Sequence, residues 1–448
     1  MNIDRISVKG LFNHFDYELS FIDENRIMLL AGPNGSGKTT ILKLIDLVFN
    51  LSFNQLAEAP FHELKFFFDN DSKQLLVQRI LTKTHDDAEL PLSFTLREDN
   101  TCKKFNPSKI KSSMRRNQLS LSMIEDLIPE LQRVGQKQWI TEDTRYILEL
   151  EDVITNYIKV FPGNIQKEIN SVPDWLYEIS QSINVRFIDT KRLTCKSLEK
   201  NHRHRTANST MRTVTYYSRL LSNQIQVSIS KYGSLSQSLD RSFPSRVVTN
   251  DLHSTTSIEE LKKDLNDIKQ KRQRLEDAGL LSKDHHDLQI PDLGGADDSQ
   301  RNVLSVYAKD TNKKLAVFDD LYEKITVFKK IVNHRFSHKH VYISDQGFFV
   351  SQNGDTSLNL ELLSSGEQHE LVFLYDLLFR ASKNSLVLID EPEISLHVAW
   401  QRKWLEDLNS IAELSKFRSI VATHSPQIIG DSWHLVVQLI SGNKVHGT

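Results

Sequence analysis

Eight consecutive residues, Gly32-Pro33-Asn34-Gly35-Ser36-Gly37-Lys38-Thr39, follow the pattern G-x-x-x-x-G-K-[ST]. Glycines let backbone N–H groups turn inward around an anion with no Cβ in the way. A helix that starts at such a loop adds the partial positive charge of its N-terminus. Phosphate is the anion this arrangement suits. Lys38 can reach the outer phosphates of a nucleoside triphosphate, and the Thr39 hydroxyl can ligate Mg²⁺. A nucleoside triphosphate with Mg²⁺ is therefore the expected cofactor, with Gly32, Asn34, Gly35, Ser36, Gly37, Lys38, Thr39 and Thr40 around the nucleotide.

A second group of residues lies more than three hundred positions further on. Ser385 to Glu391 is an apolar run ending in two acids, as expected of a strand buried on both faces. At the tip of such a strand Asp390 can join Thr39 around Mg²⁺. Glu391 can polarise an attacking water as general base, with Glu393 next in line. His424 follows another apolar run, Ser419 to Ala422, where a sensor of the terminal phosphate would be needed.

The elements that must hold these residues are expected as follows. Strands span Asp4 to Val8, Tyr17 to Phe21, Arg26 to Ala31, Leu64 to Phe68, Gln74 to Leu81 and Leu92 to Leu96, with a helix from Thr39 to Phe49. From about residue 100 to 184 the pattern reads as mostly helical, including Ile124 to Leu131 and Ile165 to Ile179. One strand, Val185 to Ile188, follows. Ser257 and Glu260 have capping-box spacing. Behind them Ile258, Leu261, Leu265, Ile268 and Leu275 form a short heptad seam interrupted by Arg272, which reads either as part of a helical hairpin or as an amphipathic helix lying on its own domain. A second helix, about Asn302 to Val332, leads back into β-structure at Val341 to Val350, and a final strand covers Leu435 to Leu439. The expected fold is α/β, with lobes at residues 1–97 and 340–448. An insertion at 98–339 contains a strand near 185–189 and a helical hairpin at 255–335.

Leu363-Ser364-Ser365-Gly366-Glu367-Gln368, followed by a helix from His369 to Phe379, resembles the ABC signature motif. Ser395-Leu396-His397 resembles the D-loop and His424 the switch histidine. With these motifs the chain resembles the ABC/SMC-like ATPases, over roughly residues 1–97 and 340–440. The resemblance implies a P-loop head with a mixed sheet. It also implies ATP held between two heads, with Ser365, Gly366 and Glu367 acting on the nucleotide of a second copy. Glu367 stands where transporters have glycine. Asp390 to His397 is similar to the D-E-P-E-x-x-L-H run of the RecF/OLD-like branch. Asp189-Thr190-Lys191-Arg192-Leu193 is similar to an Arg element of anti-phage ATPases in that branch.

Within that branch the layout is most similar to the ATPase subunits of the PARIS and, second, the Septu anti-phage systems. No nuclease constellation is expected past His424. The resemblance therefore implies a homo-oligomer that holds and releases a separate effector, a TOPRIM nuclease. The rival expectation is a DNA-clamping ATPase of repair or chromosome maintenance.

Composition sets outer limits. The chain has 448 residues, 25% charged, with a net charge of −2. No apolar run approaches the ~20 residues of a membrane span, and the N-terminus lacks signal-peptide order. Cys102 and Cys195 suggest neither a disulfide framework nor a zinc site. A cytoplasmic protein with no membrane partner is expected. Lys103, Lys104, Lys109, Lys111, Arg115 and Arg116 lie in a stretch without an acid, and Arg186 to Arg219 is also basic. Such runs read either as solvated faces or as a surface for DNA or an acidic DNA-mimicking phage protein. Asp284-His285-His286-Asp287 reads as a solvated loop rather than a metal site.

Overall fold

The computed structural model describes residues 1–21, 25–69, 71–80, 90–98, 101–108, 131–135, 138–141, 147–149, 172–188, 213–249, 257–282, 297–352 and 356–439, with a few single positions between 124 and 153. Arg192, Cys195, Asp284 to Asp287, Lys109 to Arg116 and the first residues of the helix expected from Ile165 lie outside them. The chain forms two compact units, Met1–Met211 with Arg380–Thr448, and Arg212–Phe379.

The first unit opens with β1 (Ile3–Leu11), β2 (Phe15–Ser20), β3 (Ile27–Ala31), α1 (Lys38–Phe49) and the short α2 (Phe53–Glu58). Then come β4 (Glu63–Phe68), β5 (Lys73–Arg79), β6 (Leu92–Glu98) and β7 (Thr101–Phe105). Strands β2-β1-β4-β5-β6-β7 make one antiparallel sheet. In β4, Leu64, Phe66 and Phe68 are buried while Glu63, Lys65 and Phe67 between them are not. That period of two is what one covered and one wet face requires. α1 is amphipathic, sending Ile41, Leu42, Ile45, Val48 and Phe49 into the core.

Strands β8 (Leu131–Arg133), β9 (Gln138–Thr141) and β10 (Ile147–Glu149) form a small antiparallel sheet. α3 (Asp174–Ser182) and β11 (Val185–Ile188) follow. The expectation of a mostly helical stretch from about 100 to 184 is corrected by β7 to β10. Strands of three to five residues are too short for their alternation to register in a sequence window.

The second unit is mainly helical: α4 (Thr213–Thr249), α5 (Ile258–Asp277), α6 (Asp298–Leu315) and α7 (Asp319–Arg335). An antiparallel sheet of β12 (Lys339–Ser344), β13 (Gly347–Gln352) and β14 (Thr356–Leu358) follows, then α8 (Ser365–Tyr375). α5 starts at the expected capping box: Glu260 N–H donates to Ser257 Oγ at 3.2 Å, and Ser257 N–H to Glu260 Oε2 at 3.3 Å. Its seam residues Leu261, Leu265, Ile268 and Leu275 are buried, and α5 packs on α6. The helix expected over Asn302 to Val332 is two helices, divided by a 3₁₀ turn at Ala316–Phe318. The β-structure expected over Val341 to Val350 is the hairpin of β12 and β13, whose second strand opens at Gly347. There φ is +102°, and a Cβ would stand 2.2 Å from the Ser218 carbonyl oxygen.

The chain re-enters the first unit with β15 (Leu386–Asp390), α9 (Val398–Ser415), β16 (Arg418–Thr423), α10 (Pro426–Ile429) and β17 (Val436–Gln438). Only now is the central sheet complete, in the order β11-β15-β16-β3-β17, with every pair parallel. All five residues of β15 are buried. Each fully buried aliphatic side chain contributes on the order of 1.5–3 kcal/mol, so a two-sided apolar strand is firmly held inside the sheet, between β11 and β16. Parallel and antiparallel pairing are thus divided between separate sheets of an α/β protein. No helix among the described residues is long and apolar enough to cross a membrane.

Candidate nucleotide site

Register decides what meets at the end of the parallel sheet. Thr423 pairs with Ala31, and Asp390 with Ala422. The glycine-rich loop, the acids and the histidine therefore leave their strands at one level and on one side. This is the carboxyl end, where open parallel sheets take ligands.

The loop from Gly32 to Gly37 leads straight into α1, whose N-cap is Gly37 at φ +90° with no side-chain cap. Gly35 also has positive φ, +82°, with open space where a Cβ would be. A Cβ on Gly37 would meet Leu11 Cδ2 at 2.5 Å, so this position needs glycine for both space and conformation. Tyr17 supports the loop from below: its hydroxyl donates to Ser36 O at 3.0 Å, and burial raises its pKa. Asn34 is exposed, and Thr40 is half-buried on the first turn of α1.

Lys38, 5% exposed, folds back so that Nζ donates to Gly32 O at 2.9 Å and Pro33 O at 3.1 Å. Burial lowers its pKa, and the charges of Glu391, Asp390 and Glu393 offset part of that effect. Ser36 Oγ is buried and makes no hydrogen bond. An orphaned hydroxyl, uncapped helix amides and an ammonium resting on its own loop are all groups a phosphate would engage. Thr39 Oγ1 lies 3.0 Å from both carboxylate oxygens of Asp390, 351 positions away. A hydroxyl and a carboxylate side by side form a donor set of the all-oxygen kind Mg²⁺ takes, completed by water and phosphate.

Glu391 follows β15 in the left-handed region, φ 42° and ψ 59°, with Pro392 behind it. Its N–H donates to Ala422 O at 2.9 Å. A non-glycine residue so placed stores strain, which concentrates where function demands a particular aim. His424 Nε2 lies 3.6 Å from Glu391 Oε1. Glu393, on the 3₁₀ turn Pro392–Ser395, accepts from Thr423 Oγ1 at 2.9 Å and from His424 N–H at 2.6 Å. The D-E-x-E spacing marks Glu393 as present. Nothing local signals that it bonds the tip of another strand, or that Tyr17 carries the loop.

Ser365, Gly366 and Glu367 belong to the second unit, in the first turn of α8. The helix begins four residues before the expected His369, because Ser364 and Glu367 form a second capping box. Glu367 Oε2 accepts from Ser364 N–H at 2.9 Å, and Lys339 Nζ lies 2.8 Å and 2.9 Å from its two oxygens. The Glu367 carboxylate is therefore engaged within its own unit. Burial would raise its pKa, but the hydrogen bonds from Lys339 and Ser364 outweigh this and lower it. Ser365 is exposed and Gly366 half-exposed.

The parallel sheet, the loop and the acids define a P-loop nucleotide-binding protein of the α/β class. The chain belongs to the AAA ATPase domain family, whose profile matches residues 1–429. Solved structures similar to it include an SMC head bound to the C-terminal winged-helix domain of ScpA, at 10% identity and TM-score 0.35, covering 96% of this chain and 92% of that one. An Smc head domain with an extended coiled coil, bound to the C-terminal domain of ScpA from Pyrococcus furiosus, is 13% identical at TM-score 0.35, with 96% and 91% covered. The SMC head domain from Thermotoga maritima is 12% identical at TM-score 0.33, again with 96% and 91% covered. Scores this low carry no argument, and the fold rests on the sheet order itself. No curated protein matches the chain.

Proposed function

We propose that this ATPase hydrolyses ATP at the carboxyl end of the parallel sheet, with Glu391 as general base and His424 as sensor of the terminal phosphate. Gly32, Asn34, Gly35, Ser36, Gly37, Lys38, Thr39 and Thr40 hold the nucleotide. Thr39 and Asp390 would hold Mg²⁺, which would supply positive charge against the phosphate oxygens. The observation that carries this reading is the pairing of Thr39 with Asp390, beside a Glu391 whose backbone is turned into the left-handed region. Glu391 orients a water and takes its proton, the Lys38 ammonium steadies the phosphate oxygens, and His424, 3.6 Å from Glu391 Oε1, senses the terminal phosphate.

The site is completed in trans: Ser365 and Gly366 at the start of α8 serve the nucleotide of a second copy, and Glu367 keeps that turn in shape. The resemblance of the D-E-P-E-x-x-L-H run to the RecF/OLD-like branch, with that of Asp189 to Leu193 to anti-phage ATPases of the branch, supports a sensor that holds and releases a separate effector nuclease, nearest to PARIS and then Septu. A TOPRIM or HNH nuclease gene beside this one supports that role. The absence of such a gene would favour a DNA clamp of repair or chromosome maintenance instead.

Glu391→Gln tests the chemistry: it should bind ATP, lose about 10²–10⁴-fold in turnover, and accumulate as an assembled complex. Turnover at the normal rate removes Glu391 as base. Mixing Ser365→Arg with Lys38→Ala tests the trans site. Each variant alone should be inactive, and the mixture should recover part of the activity. A mixture that stays inactive while subunits demonstrably exchange refutes the shared site.

A further inference from the structure

The tip of β16 carries His424 out of the sheet, yet nothing in a strand end by itself fixes where the next residue points. Two side chains from the segment after β15 supply that restraint. Glu393 reaches across with both carboxylate oxygens, one accepting from Thr423 Oγ1 and the other from the His424 backbone N–H. Thr423 is fully buried, and its Oγ1 also accepts from Ser425 N–H at 3.0 Å. On α9, Gln401 holds the same turn by its backbone: Nε2 donates to Leu396 O at 3.3 Å and to Glu393 O at 3.4 Å. The Gln401 carbonyl oxygen accepts from Ser425 Oγ at 2.7 Å. The turn bearing Glu393 and the loop bearing His424 are thus closed into one hydrogen-bonded ring, and the His424 ring stands 3.6 Å from Glu391.

We infer that Glu393 is a positioning residue that aims His424 at Glu391 by holding the His424 N–H and the Thr423 hydroxyl. Its consequence for turnover rests on the hydrolysis proposed above. Both carboxylate oxygens are engaged by these donors, so Glu393 contributes as a hydrogen-bond acceptor. Alanine leaves a backbone N–H and a fully buried hydroxyl without their acceptor, which frees the loop. Glutamine keeps an acceptor for the His424 N–H, and its amide can donate to Thr423 Oγ1. A small misplacement near reacting groups costs on the order of 10²-fold in rate, while ATP, held by the separate glycine loop, binds as before.

The test compares Glu393→Ala and Glu393→Gln in the full chain, reading kcat, the KM for ATP, and the His424 imidazole signal in protein labelled with ¹³C-histidine and assigned by His424→Asn. Expected are about a 10–100-fold loss of kcat with unchanged KM in the alanine variant, and kcat within about threefold of the parent in glutamine. The His424 signal should move in alanine only. Equal loss in both variants shows that the charge or a proton of Glu393 matters, and overturns the inference. So does an alanine variant with parental kcat and an unmoved signal. If the parent itself hydrolyses no ATP, the proposed function fails, and the His424 signal alone decides this inference. Should Glu393→Ala not fold, the isosteric Thr423→Val removes one of the two donors. An unmoved His424 signal there overturns the inference equally.

Discussion

Two helices begin at the loops singled out for phosphate chemistry, and their first turns are built differently. α1 starts at Gly37 in the left-handed region with no side-chain cap. Its first amides are left for something outside the chain, and a buried Ser36 hydroxyl beside them is also unmet. α8 starts at Ser364 with a complete capping box, and Glu367 is further tied to Lys339. Its first turn is stable without a ligand, and the exposed Ser365 and half-exposed Gly366 sit on that fixed base. An open helix start depends on its ligand to satisfy it, whereas a closed one can only present groups on its rim. The difference is the one the proposed function requires, between a loop that would grip phosphate and a turn that would touch one already gripped.

The comparison breaks most severely at Lys38. Lys38→Ala removes the one ammonium buried in the glycine loop, so nucleotide affinity should fall about 10–100-fold, the worth of a charge-assisted hydrogen bond. Calorimetric titration with ATP and Mg²⁺ checks this, and near-parental affinity would sink the loop assignment. Ser364→Ala opens the closed helix instead. It should cost the second unit about 1 kcal/mol of stability, read by denaturant unfolding, with ATP affinity of the isolated chain unchanged. The reverse pattern would mean that the turn grips nucleotide directly.

The smallest effect concerns acid. The folded Glu367 pKa lies below its ordinary 4.5, so the stabilisation from its ionised form is fully present above pH 4.5. It is lost as pH falls through the lower, folded value. Glu367→Gln should flatten that part of the stability curve. A curve of parental steepness below pH 4.5 would show that the Lys339 contact contributes nothing in solution.

Much of the site was legible because its signals are local. The G-x-x-x-x-G-K-T run, the apolar residues of β3, β15 and β16, and the capping box at Ser257 each act within a few residues of themselves. The second capping box, Ser364 to Glu367, was equally local, yet the helix expectation began at His369. The short strands β8 to β10 were not legible, since three or four residues carry no measurable period. The paired helices α6 and α7 were merged because a 3₁₀ turn keeps nearly the same side-chain spacing.

The sequence alone thus determined the loop, the acids, the histidine and the strand that each one ends. Only the tertiary structure decided that they share an edge, because the strand order β11-β15-β16-β3-β17 sets Thr39 beside Asp390 across 351 positions. It also decided the left-handed turn at Glu391 and the grip of Glu393 on Thr423 and His424. The physical reason is range. Periodicity, capping and glycine freedom are settled between neighbours along the chain, whereas a hydrogen bond between two strand tips exists only once the sheet between them has closed.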